Sequence, residues 1–263
     1  MSRKACADIG EHLEVREIGE VRALGWIVEA ADRVIGRDDP ELDPLKSSGS
    51  ASYKLGAYGF KLASERAGSN GADLISQLMN APGEAAITPV QFASLFIQLF
   101  VAGNETSRTL LTGTLVAFTE RPDAYRELER EPALLETAIE EMLRWTTPVH
   151  YFRRTATRDV EFAGVKIRAG QKVVLHYTSA DFDERVFAEP FRFEIRREPN
   201  PHLAFGWGEH FCLGAKLARL EARVFWEEFF ARFSGFELAG PVRRMRSNLN
   251  NSHKVIRVRL APR

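Results

Sequence analysis

Hydrophobic and polar positions along the 263-residue chain follow two periods, and the change falls near Pro148. Before it, apolar residues recur at helical spacing. The first thirty-five residues are weakly helical, and GRDDPELDPLKSSGSAS, with its Asp-Pro steps and small polar residues, interrupts them as a long loop. The pattern predicts a helix from about Tyr53 to Arg66, a turn at AGSNGAD, and a short helix at Leu74, Ile75 and Leu78 that ends before Pro82 and Gly83. The clearest helix start is Thr88-Pro89-Val90-Gln91, where Thr can cap, Pro suits the first helical position and Gln can reach back as a capping box. One long helix then runs to about Thr119. Arg121-Pro122 and Glu131-Pro132 restart two more, the second carrying ETAIEEMLRW until Thr146-Thr147-Pro148 stops it.

After Pro148, Val160, Phe162, Val165, Ile167 and Val173 to Leu175 form short strand-like runs punctuated by Gly164 and Gly170, which predicts hairpins. Leu213, Leu217, Leu220 and Val224 restore helical spacing, and KVIRVRL near the end alternates as one strand. No internal repeat or low-complexity tract is present. The reading is a mainly α chain with a small β portion.

Composition narrows the function classes. With 44% hydrophobic and 27% charged residues, the chain can bury a substantial core. Lys+Arg and Asp+Glu both total 36, so no charge excess points to nucleic acid or an anionic membrane. Cys6 and Cys212 give no disulfide framework, which suits a reducing compartment and a cytoplasmic location. The opening twenty residues lack the apolar h-region of a signal peptide. Residues 92 to 119 are the most hydrophobic stretch, but Gln98, Asn104, Glu105 and Arg108 interrupt them, so they read as a buried core helix and not a membrane span.

Candidate chemistry centres on AFGWGEHFCLGAKLAR, residues 204 to 219, where one of two cysteines stands where a glycine-rich loop becomes a helix. A cysteine there sees unpaired backbone N–H groups and the positive end of the helix dipole, both favouring thiolate. Gly206, Gly208 and Gly214 let the backbone bend close to a flat, bulky partner, and His210 offers a donor to an anionic group on it. The residues alone leave two alternatives open. One is a buried cysteine in a capping turn; the other is a metal site through His202, His210 and Cys212, which lacks an obvious fourth ligand.

Phe205-Gly206-x-Gly208-x-His210-x-Cys212-x-Gly214 resembles the haem-binding signature of the cytochrome P450 family, F-G-x-G-x-H-x-C-x-G, at every fixed position. The resemblance implies that Cys212 is the thiolate ligand of the iron of haem b (iron protoporphyrin IX), that His210 pairs with a haem propionate, and that Phe205 packs beside the thiolate. Four distant segments agree. Ala102-Gly103-Asn104-Glu105-Thr106 is similar to the family's A-G-x-[DE]-T oxygen-binding segment, in which Ala102 and Gly103 make room for dioxygen while Glu105 and Thr106 assist proton delivery. Glu141 and Arg144 match the E-x-x-R helix, and Pro190-Phe191-Arg192-Phe193 resembles the P-x-R-F segment whose arginine completes a buried charge triad with them. Arg154, in RTATRD, resembles an arginine that pairs with a propionate; adjacent Arg153 competes for that role. Without the resemblance, these residues read as a polar helix kink, a solvated ion pair and surface arginines.

The resemblance implies the C-terminal part of the P450 fold as one domain over residues 1–263: the long oxygen-binding helix, the E-x-x-R helix, β hairpins, the cysteine loop and the helix after it. It begins partway into the family's fold, and roughly the first third or more of a typical member has no counterpart. The YTSADFDERVF–LAR stretch and AGNETSR look most like bacterial members that hydroxylate steroids and branched-chain lipids. Val149, Tyr151 and Phe152 follow the E-x-x-R helix where substrate contacts or core are both expected. The implied activity is a monooxygenase acting on a C–H bond of an apolar small molecule, with electrons from NAD(P)H through a ferredoxin and ferredoxin reductase. The alternative is a haem-binding or scaffold fragment without catalytic activity of its own.

Overall fold

The structure, a computed structural model, describes residues 21–83 and 86–263. Cys6 and the expected helical pattern ahead of Val21 lie outside the described residues. The chain divides into two compact units, one ending at Asn104 and the other beginning at Glu105.

The first unit contains α1 (Val21–Ile35), α2 (Ser48–Arg66), α3 (Leu74–Met79) and the first half of α4 (Pro89–Glu120). Ile27, Leu55, Leu62, Met79, Phe92 and Phe96 form its core, as an amphipathic helical pattern requires. Helix α2 begins five residues before the expected Tyr53. The Asp43 carboxylate accepts from the Ser47 and Ser48 backbone N–H groups at 2.6 and 2.9 Å and from the Ser47 hydroxyl, so a side chain in the preceding loop caps the small polar residues into the helix. The capping box at α4 forms as the sequence predicts: Gln91 Oε1 accepts the Thr88 N–H at 2.8 Å, and Thr88 Oγ1 accepts the Gln91 N–H at 3.2 Å.

The second unit continues from α4 through α5 (Pro122–Arg130), a 3-10 turn (Pro132–Leu134) and α6 (Leu135–Thr146). Thr147 stops α6 in a left-handed conformation, φ 33°, with its hydroxyl bonded to the Arg144 carbonyl and to Asp181. Strands β1 (Tyr151–Thr155) and β4 (Lys172–His176) pair antiparallel and enclose the hairpin of β2 (Val160–Phe162) and β3 (Val165–Ile167). Short α7 (Tyr177–Asp181) follows, and a 3-10 turn (Gly208–His210) precedes α8 (Ala215–Arg232). Strands β5 (Phe233–Leu238) and β8 (Val258–Pro262) pair, as do β6 (Arg243–Arg244) and β7 (His253–Val255). KVIRVRL is therefore two strands and not one: the chain changes partner at Ile256-Arg257, where the Arg257 carbonyl accepts the Ala239 N–H.

The core of this unit gathers around Phe118, whose ring meets Tyr125, Phe193 and Trp226 edge-on at 5.6, 5.7 and 5.2 Å. Helix α8 reaches it with Ala222, Trp226 and Phe229. The Leu213, Leu217, Leu220 and Val224 row that marked this helix in the sequence faces solvent. Helical periodicity locates an apolar stripe but cannot rank two stripes on one helix, and the aromatic one is buried. The mainly α, small-β character holds. Residues 92–119 are one helix with Phe92, Phe96, Leu110, Leu115 and Phe118 buried, and among the described residues no helix is long and apolar enough to cross a membrane.

Candidate functional site

The cysteine loop is built on two left-handed glycines. Gly206 and Gly208 take φ +71° and +74°, and a Cβ at Gly206 would stand 3.2 Å from the Tyr177 hydroxyl. The bend returns the chain on itself, so that the Cys212 N–H donates to the Phe205 carbonyl at 2.9 Å. Cys212 is a free, exposed thiol three residues before α8, whose first turn has no side-chain cap. It therefore lies at the N-terminal, amide end of an eighteen-residue helix. Gly214 lies beside it, 3.9 Å from Sγ at its would-be Cβ, and His210 is exposed on the same loop. His202 points elsewhere, bonding Glu140 and the Ala204 N–H, and no group of three His, Cys, Asp or Glu among the described residues could hold a metal ion, which removes the His202–His210–Cys212 alternative.

Behind the loop, Glu140 of α6 receives Arg219 Nε and Nη2 at 2.6 and 2.7 Å and His202 Nε2 at 3.0 Å. Burial works to raise its pKa, but the Arg219 and His202 hydrogen bonds outweigh it and hold the carboxyl at about 2. The Arg219 guanidinium stacks on Phe205, 4.6 Å from the ring centroid.

One residue on, fully buried Glu141 accepts five hydrogen bonds, from Arg144 Nε and Nη2 (both 2.7 Å), the Glu194 N–H (2.8 Å), Arg197 Nε (3.1 Å) and Asn200 Nδ2 (3.1 Å). Arg144, also fully buried, spends its remaining donors on the carbonyls of Asp181, Pro190 and Arg192. The third charge is therefore Arg197 and not Arg192. The Arg192 side chain is 61% exposed and pairs with Glu189 and Glu194, while that of Arg197 is 10% exposed; only the Arg192 carbonyl turns inward. Asp181, fully buried, accepts the Leu203 N–H and the Thr147 hydroxyl, and burial raises its pKa above the ordinary carboxylate value.

On α4, Glu105 is buried and ion-paired to Arg108, one turn along the same helix, while Thr106 is half-buried. Ala102 and Gly103 precede them on exposed positions, and a Cβ at Gly103 would meet nothing within 4 Å. Arg154 is half-buried on β1 opposite Val173; Arg153 is exposed.

The family model of the cytochrome P450s matches residues 60–252. The chain belongs to the cytochrome P450 family. It is 38% identical over 252 residues to a steroid C26-monooxygenase of Rhodococcus jostii (strain RHA1), covering 95% of this chain and 52% of that protein. It is 43% identical over 199 residues to a methyl-branched lipid omega-hydroxylase of Mycobacterium bovis, covering 74% and 46%. Among solved structures, a Mycobacterium marinum cytochrome P450 in complex with pseudoionone superposes with a TM-score of 0.86 at 34% identity, covering 91% of this chain and 59% of that one. The chain spans about half the length of the curated relatives it matches.

Of the P450 residues expected from the sequence, Phe205, Gly206, His210, Cys212 and Gly214 share one loop, and Phe205 and Cys212 are joined directly by a hydrogen bond. Glu105 and Thr106 are neighbours in the second unit; Ala102 and Gly103 precede them along α4. Arg154 stands apart on its strand. Of Val149, Tyr151 and Phe152, none is fully buried and Phe152 is exposed. Sequence reasoning missed Glu140, Arg197 and Arg219. The doubled Glu140-Glu141 was their one visible signal: two adjacent carboxylates on a half-buried helix call for two cationic partners.

Proposed function

We propose that this P450 chain binds haem b through Cys212 and forms the catalytic part of a monooxygenase for apolar substrates of the steroid or branched-chain lipid class. The observation that carries the reading is an exposed thiol on a left-handed glycine turn, at the amide end of α8. The donor set suits the group. A thiolate is a fitting iron ligand, the glycines keep side chains away from a flat macrocycle, and exposed His210 and half-buried Arg154 are available to its carboxylates.

Haem, when bound, would supply activation of dioxygen. The reaction in balance is R–H plus O2 plus two electrons and two protons giving R–OH and water. The chain's own residues would serve the protons and the fit. Glu105 and Thr106 provide an acid and an alcohol in succession on α4, and the ion pair to Arg108 fixes the carboxylate's orientation. Ala102 and open-sided Gly103 leave space beside the helix. Glu141, Arg144 and Arg197 are structural, tying α6 to the segment that leads to the loop. The names of the relatives, a steroid monooxygenase and a methyl-branched lipid hydroxylase, support the substrate class. Electrons would come from NAD(P)H through a ferredoxin and its reductase, in the cytoplasm. We read both units as parts of one P450 domain, since the family match crosses from one to the other.

A second reading, haem binding without turnover, draws support from Trp207 and Leu213, each more than four-fifths exposed on the Cys212 loop. Both are tested by adding haem and recording the reduced carbonyl spectrum of the protein and of Cys212→Ser. A thiolate-type Soret band that the substitution abolishes is expected; its absence from the parent protein sinks both readings. Hydroxylated product in step with NADPH consumption selects the first reading, and a Soret band without product selects the second.

A further inference from the structure

We infer that Glu140, Arg219 and His202 form a brace that positions Cys212 by fixing the Phe205 segment to which its backbone is bonded. The inference deepens the reading of Cys212 as the iron ligand and rests on it. Three segments far apart in the chain meet at one carboxylate: α6 supplies Glu140, the loop entrance supplies His202, and the first turns of α8 supply Arg219. The single carboxylate thus ties the segment entering the cysteine loop to the helix leaving it.

The Ala204 N–H sets the histidine's tautomer. His202 Nδ1 accepts the Ala204 N–H at 3.2 Å, so Nε2 carries the hydrogen donated to Glu140. Arg219 presents Nε and Nη2 in parallel to the two oxygens of Glu140, and Nη1 returns to the Ala215 carbonyl at 3.3 Å. Held flat by this fork, the guanidinium covers the Phe205 ring, and Phe205 in turn holds the Cys212 N–H through its carbonyl. The Arg219 pKa is raised, first by its hydrogen bond to Glu140 and least by Cys212. Arg219 therefore acts twice: its planar fork sets the loop's shape, and its charge is held over the Phe205 ring. Lysine keeps the second property and loses the first.

That separation defines the experiment. Amide hydrogen exchange at Cys212 is measured in the parent protein and in Glu140→Gln, Arg219→Lys and Arg219→Met, with the amides of Leu110 and Phe118 in the core as internal controls. Loss of the fork is expected to raise Cys212 exchange about tenfold in all three variants while the core amides stay protected. Unchanged Cys212 exchange in Arg219→Met overturns the brace. So does an equal rise at Leu110 and Phe118, which would mark general destabilisation.

On the haem-loaded protein, the ferric/ferrous potential is expected to fall in Arg219→Met and to stay near the parent value in Arg219→Lys, because only the former removes the cation held over Phe205. Equal potentials in the parent and Arg219→Met overturn the charge role. If the parent takes up no haem, the reading of Cys212 as a ligand fails by itself, and the exchange data still decide the brace.

Discussion

Replacing Arg197 by Met tests the charge cluster at Glu141 directly. The substitution removes the 3.1 Å bond to Glu141 and three further bonds, to the carbonyls of Ala188 (2.8 Å), Glu189 (3.3 Å) and Arg192 (3.0 Å). Arg144 still pairs with Glu141, so the carboxylate is weakened and not stranded. A hydrogen bond to a buried charged group contributes about 1.5–3 kcal/mol, and the partly exposed carbonyls recover most of their loss from water, which places the cost at about 3 kcal/mol. Arg192→Met loses only ion pairs on a largely exposed side chain and should cost no more than about 1 kcal/mol. Against a total stability of about 5–15 kcal/mol the difference is large. Urea unfolding followed by the fluorescence of Trp145 and fully buried Trp226 measures it. If Arg192→Met proves as costly as Arg197→Met, the assignment of the third charge to Arg197 is wrong.

Two further outcomes follow from local geometry. Gly206→Ala places a side chain at φ +71° and a Cβ 3.2 Å from the Tyr177 hydroxyl; it should lower stability by about 1–2 kcal/mol, and an unshifted urea midpoint would refute the strained turn. His253 is held neutral by burial and then by Arg244, with its pKa at about 4 against 6.5 for the free side chain. Between those values the unfolded chain binds a proton that the folded chain refuses, so stability should fall as pH drops from about 6.5 to about 4. His150, lowered chiefly by burial, adds to the same trend. Thermal melts at pH 7 and pH 5 should show a smaller pH effect in His253→Gln than in the parent; identical shifts in both would count against His253.

What the sequence reveals here is mostly local. The capping box at Thr88 and Gln91 and the helix breaks at Pro122 and Pro132 act over one helical turn, so neighbouring residues announce them. The glycine loop at Cys212 is legible for the same reason, since left-handed turns constrain residue type on the spot. The misses arise where a side chain acts across the chain. Asp43 draws the start of α2 forward from the loop before it, and Arg197 meets Glu141 across 56 positions while Arg192, in the expected motif, turns outward. Glu140 and Arg219 are 79 positions apart, and neither spacing nor polarity pairs them in advance. The row of leucines on α8 misleads in another way, because apolar character is visible in a sequence while the side of a helix that the fold covers is not.

The two glutamates of α6 also fix how this chain can vary in length. Successive helical residues point about 100° apart, and that rotation sends Glu140 to the cysteine loop's brace and Glu141 to Arg144 and Arg197. A single residue gained or lost between these glutamates and the stop at Thr147 would rotate both acids by about 100° in the same sense, away from their present partners. The charge cluster and the loop support would fail together, although no charged residue had been removed. The length of α6 is therefore set to the residue.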